Sequence, residues 1–397
     1  MIGILAERGS YSIDALMAWS QSSFAHIEDP DLRPKAPYNL EKVRSGRCAV
    51  VASGFLAALQ PRVAVEELVS RLRRSFDEVV FWDHADPFQL DLGANELALF
   101  DRVLKVNGLY KDPDLYNYEV GAPSPSGNWT QKKTLRPGPR YAPDDLAALR
   151  LGPPCFLSSV PKVRSRTRTL YQGWLERSLK DRVDDVADVW VSLTRLRAPQ
   201  RTAHVAGTLS HVQRADALRR IRQAGVPFFG GITSVPPFIA GFDGRFGMKR
   251  LDPQARARVE AELREEGLMM APLARPNYVA SMLSCKAVVS ITGYGEICFR
   301  MAEAWVAGRV LVCQDLSHVQ TGFPLEPGRN VVYCRPDLSD LAAILDDIEC
   351  HWPRYRQIAE QGRQDFQAWS RRAPEMIGET LACLVGSSDI PGAKEEP

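Results

Sequence analysis

Residues 290–315, SITGYGEICFRMAEAWVAGRVLVCQD, constrain the fold of this chain more than any other stretch. The β-branched run 287–291 suits a strand buried on both faces, as in a parallel sheet. Thr292-Gly293-Tyr294-Gly295 makes a tight turn, and the spacing predicts a helix over 296–307. Gly308 is a natural stop in the left-handed position just past the helix end. A second buried strand over 310–313 completes a strand–turn–helix–strand unit.

The expected helix has two faces. Ile297, Met301, Ala304 and Trp305 recur at helical spacing and would pack on a sheet. Glu296, Arg300 and Glu303 stand at i, i+4 and i+7 and share a second stripe. The plainer alternative is a solvated face holding one weak ion pair. At the carboxyl end of a parallel strand, however, that stripe would face the crevice where ligands bind. The two glycines allow close backbone approach, and the helix N-terminus offers N–H groups to phosphate.

The order Gly293-x-Gly295-Glu296, then Arg300, Glu303-Ala304, Gly308 and a strand running to Asp315 resembles the donor-site helix of GT-B class glycosyltransferases. It is most like the exostosin-like and spore-coat-like subset, which write G-x-G-[DE]-x3-R-x2-E-A. The resemblance is specific over residues 274–347 and topological elsewhere. It implies an α/β protein of two Rossmann-like domains facing a cleft, with the C-terminal half a doubly wound parallel sheet. It also implies that Glu303 bonds the ribose hydroxyls of a nucleotide sugar and that Gly293, Tyr294 and Gly295 lie near the diphosphate. The backbone at 273–275, around Ala274, would contact the base. Six residues separate Glu296 from Glu303 where many such enzymes have seven, so Glu296 is assigned to the helix dipole and to orienting Arg300.

A chain of 397 residues exceeds one ordinary core and suits two domains. A net charge of +2 gives no case for bulk nucleic-acid binding, and no run approaches a membrane span. The apolar start, residues 2–6, is too short for a signal peptide and reads as a first strand. Eight cysteines without C-x-x-C spacing predict neither a disulfide framework nor a structural zinc. These features point to the cytoplasm.

The expected order is a domain over 1–182 on the acceptor side and a nucleotide-sugar domain over 183–353. A helical segment over 354–385 crosses back, and a disordered tail follows over 386–397. In the first domain, strands are expected at 2–6 and 48–53, a helix at 12–19, and another helix after Pro61. The run 78–83 is a buried strand with three titratable groups at its mouth: Asp83, His84 and Asp86. A base there suits activation of an acceptor hydroxyl, whereas a capped turn beside Pro87 is the alternative. Lys105, Tyr110, Lys111 and Asp112 follow on a strand edge and loop. Residues 132–168 carry nine Lys or Arg against two Asp. That patch is either a solvated loop or the contact for a polyanionic or lipid-diphosphate acceptor, or for an anionic membrane face.

In the second half, a helix at 171–179 precedes a boundary near 181–185 and a strand at 187–193. A loop to His204, a helix at 211–224, a strand at 225–229, a helix at 253–267, a strand at 268–273 and a helix at 277–284 complete it. The alternation reads as a doubly wound sheet. Glycosyl transfer without a metal needs cations against the leaving diphosphate. Arg195, Lys249, Arg250 and Arg300 are eligible, with Asp315, Ser317 and His318 after the last strand. No carboxylate cluster predicts a magnesium site, and no cofactor beyond the donor substrate is expected. Two rivals are an epimerase of the same fold, which needs no acceptor, and a non-catalytic nucleotide-sugar-binding module.

Overall fold

A computed structural model of the chain describes residues 2–5, 24–26, 46–53, 63–83, 90, 92–106, 108–119, 136–137, 141–152, 199–240, 248–293, 295 and 297–385. The expected helices at 12–19 and 171–179, the boundary near 181–185, the strand at 187–193 and the tail from 386 lie outside the described residues, as does most of the basic segment 132–168. The chain divides into two compact units. One comprises 1–109, 139–179 and 370–397, and the other 110–138 and 180–369.

The first unit carries a six-stranded parallel sheet. Its strands are β1 (Ile2–Leu5), β2 (Phe24–His26), β3 (Gly46–Ala52), β4 (Phe76–Asp83), β5 (Arg102–Lys105) and β6 (Leu149–Leu151). They lie in the order β2-β1-β3-β4-β5-β6. Residues 48–52 and 79–82 are fully or almost fully buried, which explains why both read as unbroken apolar runs. Helix α1 (Val63–Leu72) links β3 to β4 and buries Val65, Leu68, Val69 and Leu72.

The second unit is built on a five-stranded parallel sheet with β7 (Arg201–Gly207), β8 (Phe228–Ile232), β11 (Cys285–Ser290), β12 (Val310–Gln314) and β13 (Val332–Cys334). The order is β8-β7-β11-β12-β13. A hairpin, β9 (Phe238–Ala240) and β10 (Met248–Arg250), follows β8. The helices are α2 (Gln213–Gln223), α3 (Pro253–Glu265), α4 (Arg275–Leu283), α5 (Phe299–Val306), α6 (Leu341–Cys350) and α7 (Trp352–Val385). The core joins Ala203 and Val205 of β7, Leu218 and Ile221 of α2, Val289, Val312, and Leu345 of α6.

Four sequence expectations change. Residues 201–207, expected as a loop to His204, form the central strand β7. Its period was hidden by buried polar residues, Thr202 and His204, which the interior tolerates because each has a partner. The expected strand at 268–273 reduces to one bridge between Met269 and Ile232, since Pro272 has no N–H to extend a ladder. The strand expected at 225–229 begins only at Phe228, after Pro227. Helix α5 starts at Phe299 rather than 296, because Cys298 is still extended at φ −137° and ψ 159°. The expected place of Glu296 on the helix stripe lies outside the described residues.

The apolar face of α5 is as the spacing required, with Ile297, Met301, Ala304 and Trp305 buried. Trp305 stacks with Phe366 of α7 and packs against Phe323, which meets Trp369 edge-on. A Cβ at Gly362 would lie 2.7 Å from Trp305 Cδ1, so only glycine lets α7 approach this closely. The indole N–H groups of Trp305 and Trp369 donate to Asn330 O and Gly322 O, leaving no buried donor unpaired there.

Candidate functional site

The chain runs from β7 outward to β8 and then returns to the other side of β7 to place β11. The strand order thus reverses between β7 and β11, and their carboxyl ends, Gly207 and Ser290, border the switch point where open parallel sheets bind ligands.

Arg214 of α2 ties the two strand ends together. It is 8% exposed, and it donates from Nη1 to Thr208 O at 2.9 Å, from Nη2 to Ile291 O at 3.2 Å and from Nε to Thr292 O at 3.3 Å. Gln314 at the end of β12 extends the brace. Its Oε1 accepts from Thr292 N and Oγ1 at 3.0 and 2.6 Å, and its Nε2 donates to Gln213 Oε1 and Pro336 O. Loops after three strands are therefore fixed by hydrogen bonds before any ligand arrives.

Glycines make room for the cations. A Cβ at Gly207 would fall 2.3 Å from Arg300 Nη2 and 3.4 Å from Arg214 Nη1. One at Gly293 would fall 2.7 Å from Arg214 Nη2 and 3.1 Å from Ser210 Oγ. The turn itself closes with Gly293 N donating to Gly295 O at 2.9 Å, and both glycines are buried. Helix α5 opens at Cys298 without a side-chain cap, which leaves its first N–H groups to other acceptors.

Arg300 and Glu303 sit three residues apart on α5 and meet Tyr278 of α4. The Tyr278 hydroxyl donates to Glu303 Oε2 at 2.9 Å, and the Arg300 guanidinium lies against the same phenol. Burial pushes the Tyr278 pKa up, so the phenol keeps its proton for Glu303. Behind it, His204 of β7 meets the Tyr278 ring edge-on at 5.3 Å and stacks on Phe229 at 5.9 Å. Ser281 gives its proton to Tyr278 O at 2.7 Å, so Ser281 Oγ accepts from His204 Nε2 at 3.1 Å. Burial, with the Arg300 charge adding to it, pushes His204 down to about 3, and the ring is neutral. Arg300 Nε and His204 Nδ1 are buried with no hydrogen-bond partner among the described residues.

His211 lies in the loop after β7, 1% exposed. Its Nδ1 accepts from Gln213 N at 3.1 Å, which places the ring proton on Nε2, a buried donor with no partner among the described residues. Burial, then Arg214, pushes His211 down to about 3.

The other expected site residues separate. Ala274 is the exposed N-cap of α4, and its carbonyl accepts from Tyr278 N at 3.0 Å. Arg250 covers the ring of Phe238 at 5.9 Å on the hairpin. Lys249 pairs through its backbone with Ile239, and its side chain lies outside the described residues. Tyr294, Glu296, Arg195, His84 and Asp86 also lie outside them. Asp315 closes a turn by accepting from Ser317 N at 2.8 Å, and His318 is buried and stacked on Tyr110 at 6.1 Å. Lys111 bonds the Ser317 and His318 carbonyls. Asp83 is wholly buried inside the first unit rather than open at the strand mouth, with Lys105 Nζ 2.9 Å from its Oδ1.

Sequence reasoning missed Arg214 and His211 as members of the site, since an arginine and a histidine at a helix start look like surface groups. Among the described residues no three His, Cys, Asp or Glu group to hold a metal, and no helix is long and apolar enough to cross a membrane.

No protein-family model matches the chain, and no curated protein matches its sequence. Among solved structures, it is similar to Anabaena Alr3699/HepE in complex with UDP-glucose, at 12% identity over 96% of this chain and 99% of that one, with a TM-score of 0.44. A glycosyltransferase from Rickettsia africae ESF-5 aligns at 8% identity over 98% of each chain, TM-score 0.45. Sucrose-phosphate synthase from Thermosynechococcus elongatus aligns at 12% identity over 85% of this chain and 73% of that one, TM-score 0.43.

Proposed function

We propose that this chain is a GT-B glycosyltransferase that moves a sugar from a nucleoside diphosphate sugar to a glycan, lipid-linked or small-molecule acceptor without a metal ion. One observation carries the reading: at the switch point of the second sheet, a carboxylate, Glu303, is held by a half-buried phenol beside two arginines crowded against Gly207 and Gly293. A carboxylate accepts from both hydroxyls of a ribose, and cations and helix N–H groups oppose the charge of a diphosphate.

In this proposal Glu303 takes the ribose, and the diphosphate lies over Gly207, Gly293 and the uncapped start of α5. Arg214 stabilises the leaving group mainly from beneath, because its nitrogens are already engaged with backbone carbonyls, and Arg300 opposes the diphosphate charge beside it. Arg195 and Lys249 are assigned as outer diphosphate contacts from their place in the sequence alone. Acceptor activation is given to His84 or Asp86, which follow β4, since Asp83 is committed to Lys105. The basic segment 132–168 would hold an anionic acceptor.

The test is calorimetry of nucleoside diphosphates with Glu303→Gln. Loss of the charge-assisted bonds to the ribose should weaken binding by about 1.5–3 kcal/mol without unfolding the chain. Unchanged affinity would overturn the ribose assignment.

A further inference from the structure

We propose that Tyr278 is a positioning residue for Glu303, fixing the carboxylate in the orientation that accepts from the ribose hydroxyls of a nucleotide; this rests on the nucleotide-sugar reading above. The geometry is specific. The phenol hydroxyl donates to Glu303 Oε2 at 2.9 Å and occupies one of the roughly four acceptor positions of the carboxylate. A glutamate on a helix has three side-chain torsions, and a single rigid donor from a neighbouring helix removes much of that freedom before the ligand binds.

The phenol is itself held from behind. Its ring meets the buried His204 edge-on at 5.3 Å, and His204 is anchored through Ser281, one turn beyond Tyr278 on α4. Arg300 lies against the phenol oxygen and polarises the hydroxyl toward Glu303. Strand β7 and helices α4 and α5 thus converge on one carboxylate.

The experiment measures affinity for UDP, ADP and GDP, each beside its 2′,3′-dideoxy counterpart, in wild type, Tyr278→Phe, Glu303→Gln and the double variant. Wild type should bind at least one ribonucleotide more tightly than its dideoxy form. Tyr278→Phe keeps the ring and its contact with His204, so it should leave dideoxy affinity intact and narrow the gap by about five- to tenfold, the worth of one ordinary hydrogen bond, because the carboxylate stays and only its fixed orientation is lost. In the Glu303→Gln background the same change should do little, because the two residues act as one unit. In turnover, Tyr278→Phe should raise KM for the donor and leave kcat near wild type.

A wild type indifferent to the ribose hydroxyls would overturn the nucleotide reading and this assignment with it. A discriminating wild type whose gap survives Tyr278→Phe would overturn the positioning role alone. Equal loss of ribo and dideoxy affinity in Tyr278→Phe, with an unchanged melting curve, would also overturn it. If that variant melts early, Ser281→Ala, which loosens the tyrosine from behind, should narrow the gap by a smaller factor, and an unchanged gap there rejects the role.

Discussion

The two parallel sheets handle buried charge at their strand ends in different ways. In the first, Asp83 and Lys105 are direct neighbours across β4 and β5, both side chains wholly buried, with each charge answered by the other. In the second, two arginines and one glutamate meet at the switch point. Arg214 is answered by backbone carbonyls, and Arg300 keeps a buried Nε without a partner among the described residues. A matched pair in register fixes how two strands align. The second array, with surplus positive charge among the described residues, is what the proposed function requires of a site for a ligand that brings negative charge.

The largest effect should come from splitting the first pair. Asp83→Asn leaves Lys105 buried without its counter-ion and should cost about 3–5 kcal/mol of stability, while nucleoside diphosphate affinity stays as in wild type. Asp83→Leu combined with Lys105→Met should recover most of that loss. Denaturant unfolding beside calorimetry measures both. A stable Asp83→Asn protein that no longer turns over would break the contrast, because Asp83 would then be a chemical group and not a structural one.

This contrast was only half legible in the sequence. The strand–turn–helix–strand unit at 285–314 could be read because β11, β12 and the buried face of α5 are continuous apolar signals bracketed by glycines. Arg300 and Glu303 could be picked out because three-residue spacing on a helix is local information. Their partners could not. Tyr278 reaches Glu303 across 25 positions, and Arg214 reaches Thr292 across 78, so only the fold brings them together. β7 escaped because its buried polar residues look like loop residues until Ser281 and Glu349 are seen opposite them. Asp83 misled for the converse reason: a charged residue at a strand end looks open until Lys105, one strand over, is found against it.

Acid should separate the units next. His204 and His211 titrate at about 3 in the folded second unit, His318 at about 4, and all three near 6.5 when unfolded, since burial disfavours their charged forms. The unfolded chain therefore binds more protons below pH 6.5, and stability falls as pH drops from 6.5 toward 3. Each histidine contributes a slope approaching ~1.4 kcal/mol per pH unit, so lowering the pH from 6.5 to 5 should cost roughly 5 kcal/mol for the three. Hydrogen exchange should show amides of β7 and α2 losing protection ahead of those in β3 and β4. Replacing His204 by Gln should remove about a third of the slope. Protection lost first in β3 and β4 would mean that the buried histidines are not what limits the second unit in acid.

The smallest effect asks whether the surplus charge is held as tightly as the contrast requires. A Cβ at Gly207 would press within 2.3 Å of Arg300 Nη2, whereas one at Gly152, beside Lys105 in the first unit, would meet Leu104 Cβ and Lys105 O at an ordinary 3.4 Å. Gly152→Ala should be close to silent. Gly207→Ala meets the far end of a side chain but also sets a Cβ on a backbone at φ 158°, so a modest loss of stability, measured by denaturant unfolding, should accompany it. The new methyl must also push the guanidinium away from its place beside Tyr278, and nucleoside diphosphate affinity should fall about fivefold, ~1 kcal/mol. Affinity equal to wild type in Gly207→Ala would mean that Arg300 relaxes freely and that the second site is not preorganised, which removes the physical difference between the two sheets.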